Sequence, residues 1–394
     1  MKSWVWLSAA LAITCTRVLV GSDVGPAAVK PRWVTGFYVG YMASAYPPSA
    51  IDFSSLTHVT VFSVLPQETG KLDTTLFTDG LNGPKIAREV AARAHAAGRT
   101  AILAIGGAGT EAGFKGATSP QHLSAFVRSV VDLTVEWGFD GVDIDWEPLP
   151  EADYPIVLTL ITKLKAARPG LVITTDLGFR SRNFRLSAAD ASFYRQLSAI
   201  VDQMNMMTYG MADNWDGWVV WHSSALSGDG PDHPTSVHAS VRDYVAAGVP
   251  AAKLGMGIAF YGACWSAPTT APLQTPLGSH VVASDHEIGF AALKNLYYRK
   301  DRYHFDATAQ VPYLSFAVPT GPKKCTFISY EDEASIAAKG QYAAAAGLGG
   351  TIVWQLNEGY AIGAPDPSSL LHAVGRAFGV SPAAGPSLPT VERK

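Results

Sequence analysis

The sequence predicts an α/β fold, a closed (β/α)8 TIM barrel with a small α+β insertion between its seventh and eighth strands. Eight apolar runs rich in β-branched residues alternate with helical patterns along most of the chain. Such alternation is typical of parallel strands that are joined by helices. The 394 residues exceed the roughly 250 of a simple barrel, which leaves room for an insertion. An open doubly wound sheet is the alternative architecture.

Apolar periodicity and capping signals place the individual elements. Gly98 and Gly138 suit the left-handed position that ends a helix, and Ser119–Pro120 is typical of a helix start. The predicted strands are residues 34–41, 56–65, 100–105, 138–146, 171–177, 200–208, 254–260 and 351–356. The predicted helices are residues 85–97, 120–137, 152–168, 188–199, 235–247, 335–346 and 368–378. Residues 47–52, after the first strand, leave room for only a short helix.

The alternation breaks over residues 265–327, which are rich in Pro, Tyr and Asp and contain short strand-like pieces. A structureless loop of that length is uncommon in a compact domain. We therefore expect a small inserted subdomain within a catalytic barrel that spans residues 33–380. The Pro-, Ala- and Ser-rich residues 381–394 are expected to form a disordered tail.

The first residues have the layout of a secretory signal peptide. Lys2 precedes an apolar stretch at residues 5–13, and small residues follow near position 21. Residues 1–21 are predicted to be the signal and residues 22–32 a linker. Cys15 lacks the small residue expected before a lipidated cysteine, so we expect export to the periplasm or the extracellular space rather than lipid anchoring. No later run reaches about 18 apolar residues, so no membrane contact is expected after cleavage.

Composition argues against several classes of partner. The chain has 30 basic and 33 acidic side chains and a formal net charge of −3, whereas nucleic-acid-binding surfaces are usually basic. The ten histidines form no HExxH pattern, so no metal is predicted. Residues 107–112 match GxGxxA after the third strand rather than the first, so no dinucleotide cofactor is predicted. We expect a monomer without cofactors.

Three acids line one face of the fourth predicted strand. Side chains alternate along a strand, so Asp143, Asp145 and Glu147 share the face that points into a barrel. Apolar residues occupy the other face, which disfavours an exposed acidic strand, and a straight strand disfavours a calcium loop. Like charges in one buried column raise at least one pKa. The pattern predicts a general acid at the outermost position, Glu147, with Asp145 holding it ready.

Two cysteines remain if Cys15 leaves with the signal peptide. Cys264 and Cys325 could form a disulfide in an oxidising compartment, or both could be buried free thiols.

The acidic strand has the spacing Asp140-x-x-Asp143-x-Asp145-x-Glu147, which resembles the signature of glycoside hydrolase family 18, the chitinases. The resemblance covers residues 33–378, and the insertion is similar to that of the deep-cleft chitinases. Other pieces that resemble motifs of the family are Gly36–Phe37–Tyr38, Ala104–Ile105–Gly106–Gly107, Met207–Thr208–Tyr209, Tyr261–Gly262 and Trp354.

The resemblance implies a substrate-assisted mechanism, an exception among glycosidases. Glu147 would protonate the glycosidic oxygen, and the 2-acetamido group of the sugar would attack C1. Asp145 would turn from Asp143, with which it shares a proton, toward the acetamido N–H, while Tyr209 aligns the acetamido carbonyl. Trp354 would form the floor under the sugar. The other substrate-binding residues that the resemblance implies are Tyr38, Met207, Tyr261, Trp265, Gly106 and Gly107.

Some positions depart from the family pattern or stay open. Ala104 stands where the family has a serine, and Gly210 where it has an aspartate. Asp213 in the following loop is a candidate for compensation. The family's arginine after Tyr–Gly is also absent, with Ala263–Cys264 in its place. Trp215, Trp218 and Trp221 either line substrate subsites or pack within their loop.

The sequence thus predicts a secreted chitinase that binds chitin or chitooligosaccharides. An endo-β-N-acetylglucosaminidase that acts on N-glycans shares the acidic motif and is one alternative. A chitin-binding lectin with weak catalysis is the other, although lectin relatives usually lose the terminal glutamate, which is present here as Glu147.

Overall fold

The computed structural model describes residues 32–380, so the predicted signal peptide, most of the linker and the predicted tail lie outside the described residues. The strands, in chain order, are β1 (Trp33–Val39), β2 (His58–Pro66), β3 (Leu72–Asp73), β4 (Thr100–Ala108), β5 (Gly141–Glu147), β6 (Val172–Gly178), β7 (Gln203–Met207), β8 (Leu254–Ala259), β9 (Ala263–Trp265), β10 (Val281–Ala283), β11 (Tyr303–Asp306), β12 (Val311–Thr320), β13 (Cys325–Ser329) and β14 (Gly350–Trp354).

The helices, in chain order, are α1 (Asn82–Ala96), α2 (Glu111–Ala117), α3 (Leu123–Trp137), α4 (Tyr154–Ala167), α5 (Ala188–Ile200), α6 (Val237–Ala246), α7 (Phe290–Leu296), α8 (Glu333–Ala346), α9 (Leu356–Gly359) and α10 (Ser369–Phe378). Short 3-10 turns lie at Gly40–Met42, Pro48–Ala50, Phe53–Ser55, Glu151–Asp153, Ala251–Lys253, Asp285–Glu287 and Lys300–Arg302. The unit after the first strand is thus built from 3-10 turns, in keeping with the short space predicted there.

Eight of the strands in residues 32–380 are parallel neighbours and close into a barrel. Their order is β1-β14-β8-β7-β6-β5-β4-β2, and β1 also pairs with β2. The predicted (β/α)8 barrel is therefore confirmed, and the open sheet is excluded. In the register of the barrel, Asp143 of β5 lies between Ala104 of β4 and Thr174 of β6.

Capping residues explain several helix ends. Ser187 and Asp190 form a capping box at the start of α5, and Gly138 ends α3 in the left-handed conformation at φ 77°. The start of α3 was predicted three residues too early. Ser119 does not cap the helix with its side chain. Its carbonyl oxygen accepts from the amides of His122 and Leu123, so residues 119–122 form a turn that leads into the helix.

The predicted insertion between the seventh and eighth barrel strands is confirmed as a separate antiparallel sheet. Its strand order is β10-β9-β13-β12-β11, and α7 precedes β11. A disulfide joins Cys264 of β9 to Cys325 of β13, which decides between the two alternatives for these thiols in the structure. In the chain-entropy model, a bridge that closes 61 residues stabilises the fold by about 4 kcal/mol.

Residues 32–380 contain three clusters of buried apolar side chains. The largest lies between the strands and the helices, where Trp146 stacks on Phe114 with ring centroids 4.6 Å apart. A second cluster packs Trp221 of the loop after β7 against Trp265 and Phe327 of the insertion. The third lies inside the barrel and comprises Phe37, Val39, Phe62, Ala104 and Ile352. This inner cluster supports the carboxyl ends of the strands from below, which is where barrel enzymes place their sites.

Candidate active site

The predicted column of acids lies inside the barrel on β5. Asp143 and Asp145 are buried, and Glu147 at the end of the strand is half-buried. Asp140 acts at the start of the strand: its Oδ2 accepts a 2.8 Å hydrogen bond from the amide of Ala101 and so ties β5 to β4. The alternation of β5 therefore sends its acids inward and its apolar residues toward the helices, as predicted.

The outer acids line a cavity of about 160 Å³ at the carboxyl ends of the barrel strands. Its lining residues are Phe62, Ala108, Asp145, Glu147, Asp176, Met207, Tyr209 and Trp354. Six different barrel strands or the loops directly after them contribute these side chains. The cavity is thus the place where a reacting group would meet the acids, an aromatic floor and a tyrosine hydroxyl together.

Burial and mutual repulsion keep protons in the acidic column. Burial raises the pKa of Asp145 well above its ordinary value, and the charges of Glu147 and Asp143 raise it further. Burial also raises the pKa of Glu147, although a hydrogen bond from Asp145 opposes that rise. Burial and the neighbouring charges therefore favour a proton on Asp145, which can donate to Glu147. Such a pair suits acid–base catalysis near neutral pH.

A fourth carboxyl, Asp176 of β6, was missed by the sequence reasoning. Burial raises the pKa of Asp176 well above its ordinary value, with further contributions from the charges of Asp143 and Asp145. Its carboxyl lies close enough to that of Asp143 for a hydrogen bond when one of the two is protonated. The signal that could have found it is the spacing of two between Thr174 and Asp176, which puts both polar side chains on one face of the strand.

Tyr209 lies beside the acids at the end of β7, where the resemblance placed it. Burial raises the pKa of its hydroxyl well above the ordinary value, with the charge of Asp176 contributing next. The ring fits because residue 257 of β8 is glycine: a Cβ there would lie 2.6 Å from Cε1 of Tyr209. Tyr261 packs edge-on against Tyr209 with centroids 6.2 Å apart. A Cβ at Gly210 would lie 4.0 Å from the hydroxyl oxygen of Tyr261.

Asp213 does not replace the aspartate that the resemblance expects at position 210. Its Oδ1 accepts a 3.0 Å hydrogen bond from the amide of Val281 in the insertion. The carboxyl therefore ties the loop after β7 to β10, and it is absent from the lining of the cavity. Gly210 itself has a left-handed backbone at φ 62°.

Trp354 forms one wall of the cavity at the end of β14, and Met207 of β7 also lines it. The indole packs edge-on against Phe62, with centroids 4.9 Å apart, and lies 5.6 Å from the ring of Phe37. These contacts make a rigid apolar floor, as expected of a ring that stacks on a sugar.

Gly106 and Gly107 shape the site through their backbone. They have φ values of 112° and 121°, which side-chain-bearing residues rarely adopt. A Cβ at Gly106 would lie 2.1 Å from the carbonyl oxygen of Asp145, and one at Gly107 would lie 2.7 Å from the ring of Phe62. The two glycines let β4 approach the acidic strand and the aromatic floor. Neither lines the cavity.

Two implied substrate-binding residues lie away from the cavity. Tyr38 is fully buried on the outer face of β1, where its hydroxyl donates to the carbonyl of Tyr46, because Phe37 takes the inward position of that strand. Trp265 is 1% exposed and packs between the insertion and the loop after β7. Both placements contradict a direct contact with substrate.

The three tryptophans of the loop after β7 divide between the two alternatives. Trp221 is buried and its indole nitrogen donates to the carbonyl of Thr235, so it packs within the structure. Trp215 is 39% exposed and packs edge-on against the half-buried Trp218 with centroids 4.7 Å apart. An exposed aromatic pair of this kind remains a candidate subsite.

Two properties of residues 32–380 bear on cofactors and membranes. No group of three or more His, Cys, Asp or Glu side chains in that range could hold a metal ion. No helix there combines the length and the hydropathy that a membrane crossing requires.

Comparisons with known proteins agree with this geometry. The model of the family "Glycosyl hydrolases family 18" matches residues 36–359. Chitinase A1 of Niallia circulans is 33% identical over 262 residues, which are 59% of this chain and 36% of that protein, so the match spans about a third of its length. A class V chitinase of Arabidopsis thaliana is 28% identical over 366 residues, or 86% of this chain and 88% of that protein.

The crystal structure of the group IV chitinase of Ostrinia furnacalis in complex with allosamidin has the same fold. It superimposes with a TM-score of 0.76 at 19% identity and covers 88% of this chain and 99% of the other.

Proposed function

Because the chain belongs to family 18 of the glycosyl hydrolases, we propose that it is a chitinase, which hydrolyses the β-1,4 bonds between N-acetylglucosamine units in chitin and chitooligosaccharides. The observation that carries this proposal is that Asp145 and Glu147, whose pKa values are both raised, line one cavity with Tyr209 and the Trp354 floor. The names of the relatives, chitinases in all three cases, support the substrate class.

Glu147 serves as the general acid and then as the general base in the proposed reaction. It is the outermost acid and lines the cavity, so its carboxyl can reach the glycosidic oxygen of a sugar that lies against Trp354. Burial raises its pKa and so favours the protonated form that a general acid needs. General acid–base catalysis of this kind contributes about 10²–10⁴-fold to the rate.

The nucleophile is the 2-acetamido carbonyl of the substrate, and the configuration at C1 is retained. In a retaining enzyme that supplies its own nucleophile, the two carboxyls flank the bond at about 5–5.5 Å. Here Asp145 neighbours Glu147 on the same strand, Asp176 lies beside Asp145 in the lining of the cavity, and Asp143 lies beneath them. The four carboxyls thus form one contiguous group rather than two that flank the bond. This arrangement supports attack by the acetamido group of the substrate itself. Asp145 stabilises the positive charge on the acetamido group, and Tyr209 aligns its carbonyl.

We also propose that the protein is exported and acts as a monomer. The Cys264–Cys325 disulfide favours an oxidising compartment. Sequencing the amino terminus of the protein recovered from the culture medium or the periplasm tests the signal peptide predicted at residues 1–21.

The decisive experiment is an assay of the wild-type protein on chitin hexamer, with Glu147→Gln as the matched variant. We expect the wild type to release chitobiose or longer products, and the variant to lose at least about 10³-fold in kcat. Binding of chitotriose, followed by tryptophan fluorescence, should survive the substitution because glutamine keeps the shape of the side chain.

Each alternative function has its own outcome in this experiment. If the wild type binds chitotriose and releases no sugar from any chitin oligomer, it is a lectin. If it cleaves a high-mannose glycoprotein and leaves chitin hexamer intact, it is an endo-β-N-acetylglucosaminidase. A Glu147→Gln variant with wild-type turnover would show that another group is the acid.

A further inference from the structure

The fourth carboxyl of the site has no role in the mechanism described so far. Asp176 is half-buried on the inner face of β6, two residues after Thr174, which pairs with Asp143 in the register of the sheet. This spacing places Asp176 beside Asp145, and its side chain lines the same cavity as Asp145 and Glu147. A carboxyl in that position must either share a proton or repel its neighbours.

The surroundings of Asp143 are polar on one side only. On the β4 side its neighbour in the register is Ala104, which belongs to the apolar inner cluster. On the β6 side the hydroxyl of Thr174 donates a hydrogen bond to Oδ1 of Asp143. The other oxygen, Oδ2, is shielded from solvent and accepts no hydrogen bond from Thr174 or the backbone, so the neighbouring carboxyl of Asp176 is the group that can donate to Asp143 once it is protonated.

A hydrogen bond between two carboxyls requires a proton on one of them. Burial and the charges of Asp143 and Asp145 favour the protonated form of Asp176, and the same bond stabilises the ionised form of Asp143. Asp176 therefore donates and Asp143 accepts. Asp145 donates to Glu147 in the same way. The four carboxyls thus form two pairs, Asp176–Asp143 and Asp145–Glu147.

We propose that Asp176 is a positioning residue that satisfies Asp143 from β6 and thereby keeps Asp145 directed at Glu147 before substrate binds. The proposal rests on the proposed function and deepens it. A buried carboxylate without a donor is costly, and the nearest other acid on the inner face of β5 is Asp145. Without Asp176, Asp145 would turn inward to Asp143 and leave Glu147. With Asp176 in place, Asp145 does not need the turn that the family resemblance implies.

Two variants separate this role from a merely structural one. Asp176→Ala removes the donor to Asp143, whereas Asp176→Asn keeps a donor in its amide N–H. On a fluorogenic chitotrioside, we expect Asp176→Ala to lose about 10²-fold in kcat, the effect of a misplaced catalytic group, with little change in KM. We expect Asp176→Asn to stay within about threefold of the wild type, because its amide N–H replaces the lost donor to Asp143. Asp132→Asn, on the exposed face of α3, is the matched control.

The pH profile gives a second readout. The hydrogen bond from Asp145 lowers the pKa of Glu147, so its loss in Asp176→Ala should move the alkaline limb of kcat/KM to higher pH. The groups that face Asp176 are Asp143, Asp145 and Glu147 of β5 and Tyr209 after β7. An unmoved limb in Asp176→Ala, or equal losses of kcat in the alanine and asparagine variants, would overturn the proposal.

A third readout is independent of activity and so separates this proposal from the proposed function. A crystal structure of Asp176→Ala should show Asp145 turned toward Asp143, and infrared spectra at neutral pH should show one protonated carboxyl fewer in Asp176→Asn than in the wild type. An Asp145 that still faces Glu147, or an unchanged carboxyl band, refutes the positioning role even if the wild type degrades chitin. Conversely, a wild type that cleaves no chitin oligomer refutes the proposed function alone.

Discussion

The indole nitrogen of Trp354 donates a 2.8 Å hydrogen bond to Oδ1 of Asp285. Asp285 belongs to the insertion, whereas Trp354 ends the last strand of the barrel and lines the cavity. The insertion therefore holds the orientation of the ring on which, in the proposed mechanism, the sugar lies. This contact gives the inserted sheet a direct part in the site.

Loss of this contact should weaken the floor of the site. Asp285 has a left-handed backbone at φ 50°, so Asp285→Gly removes the acceptor without the backbone strain that alanine would add. We expect kcat/KM on chitotrioside to fall about fivefold to tenfold, which corresponds to a hydrogen bond of about 1 kcal/mol. The control is Asp285→Asn, which keeps an acceptor oxygen and tolerates the same backbone, and it should stay within about twofold of the wild type. Equal effects of the two substitutions would contradict this role of Asp285.

The acid–base pair predicts how activity depends on pH. Burial and the charge of Asp143 raise the pKa of Glu147. We therefore expect kcat/KM to keep its full value at pH values above the ordinary glutamate pKa of about 4.3, and to fall on the alkaline side when Glu147 loses its proton. Asp143→Asn removes that charge, and the alkaline limb should then move to lower pH as the overall rate drops. A profile of kcat/KM against pH for both proteins checks this. A limb that stays in place or moves to higher pH would exclude the electrostatic coupling.

The same carboxyls predict how stability depends on pH. The folded state keeps a proton on Asp176 that the unfolded chain releases near pH 3.9, so unfolding releases protons above that pH. The free energy of unfolding contributed by Asp176 therefore falls as the pH rises from about 4 toward the raised pKa. Asp176→Asn lacks this loss. Its melting temperature should equal that of the wild type near pH 4 and exceed it by at least about 2 °C at pH 8. Thermal melts across that pH range check this, with Asp132→Asn as the baseline. A difference in melting temperature between Asp176→Asn and the wild type that did not change with pH would contradict the prediction.

A buried ion pair predicts a large effect on stability away from the site. Lys339 of α8 is fully buried, and its Nζ donates to Glu331, to the carbonyl of Ser224 at 2.9 Å and to the hydroxyl of Ser224 at 2.6 Å. Lys339→Met leaves Glu331 buried without its cation, which should cost about 3–5 kcal/mol in urea unfolding. Adding Glu331→Gln should restore part of that loss, because the uncompensated charge is gone. If the double variant were less stable than Lys339→Met, the penalty would not come from the buried charge.

The barrel and the acidic column could be predicted because both depend on local periodicity. Alternating apolar runs and helical segments determined the (β/α)8 architecture, and a spacing of two residues placed Asp143, Asp145 and Glu147 on one face of β5. The helix starts were less accurate. Ser119 and Pro120 have the residue types of a helix start, but hydrogen bonds to the Ser119 carbonyl form a turn there instead.

The remaining features depend on contacts between distant segments. Periodicity does not say which face of a short strand points inward, and so the predicted substrate contact fell on Tyr38, although Phe37 takes the inward position. The burial of Trp265 and the bond between Asp213 and Val281 arise only when the insertion packs on the loop after β7. By itself, the sequence determined the barrel and the acid on β5. Only the tertiary structure brought Asp176 from β6 against Asp143, because the register between neighbouring parallel strands is set by the packing of the whole barrel rather than by either strand alone.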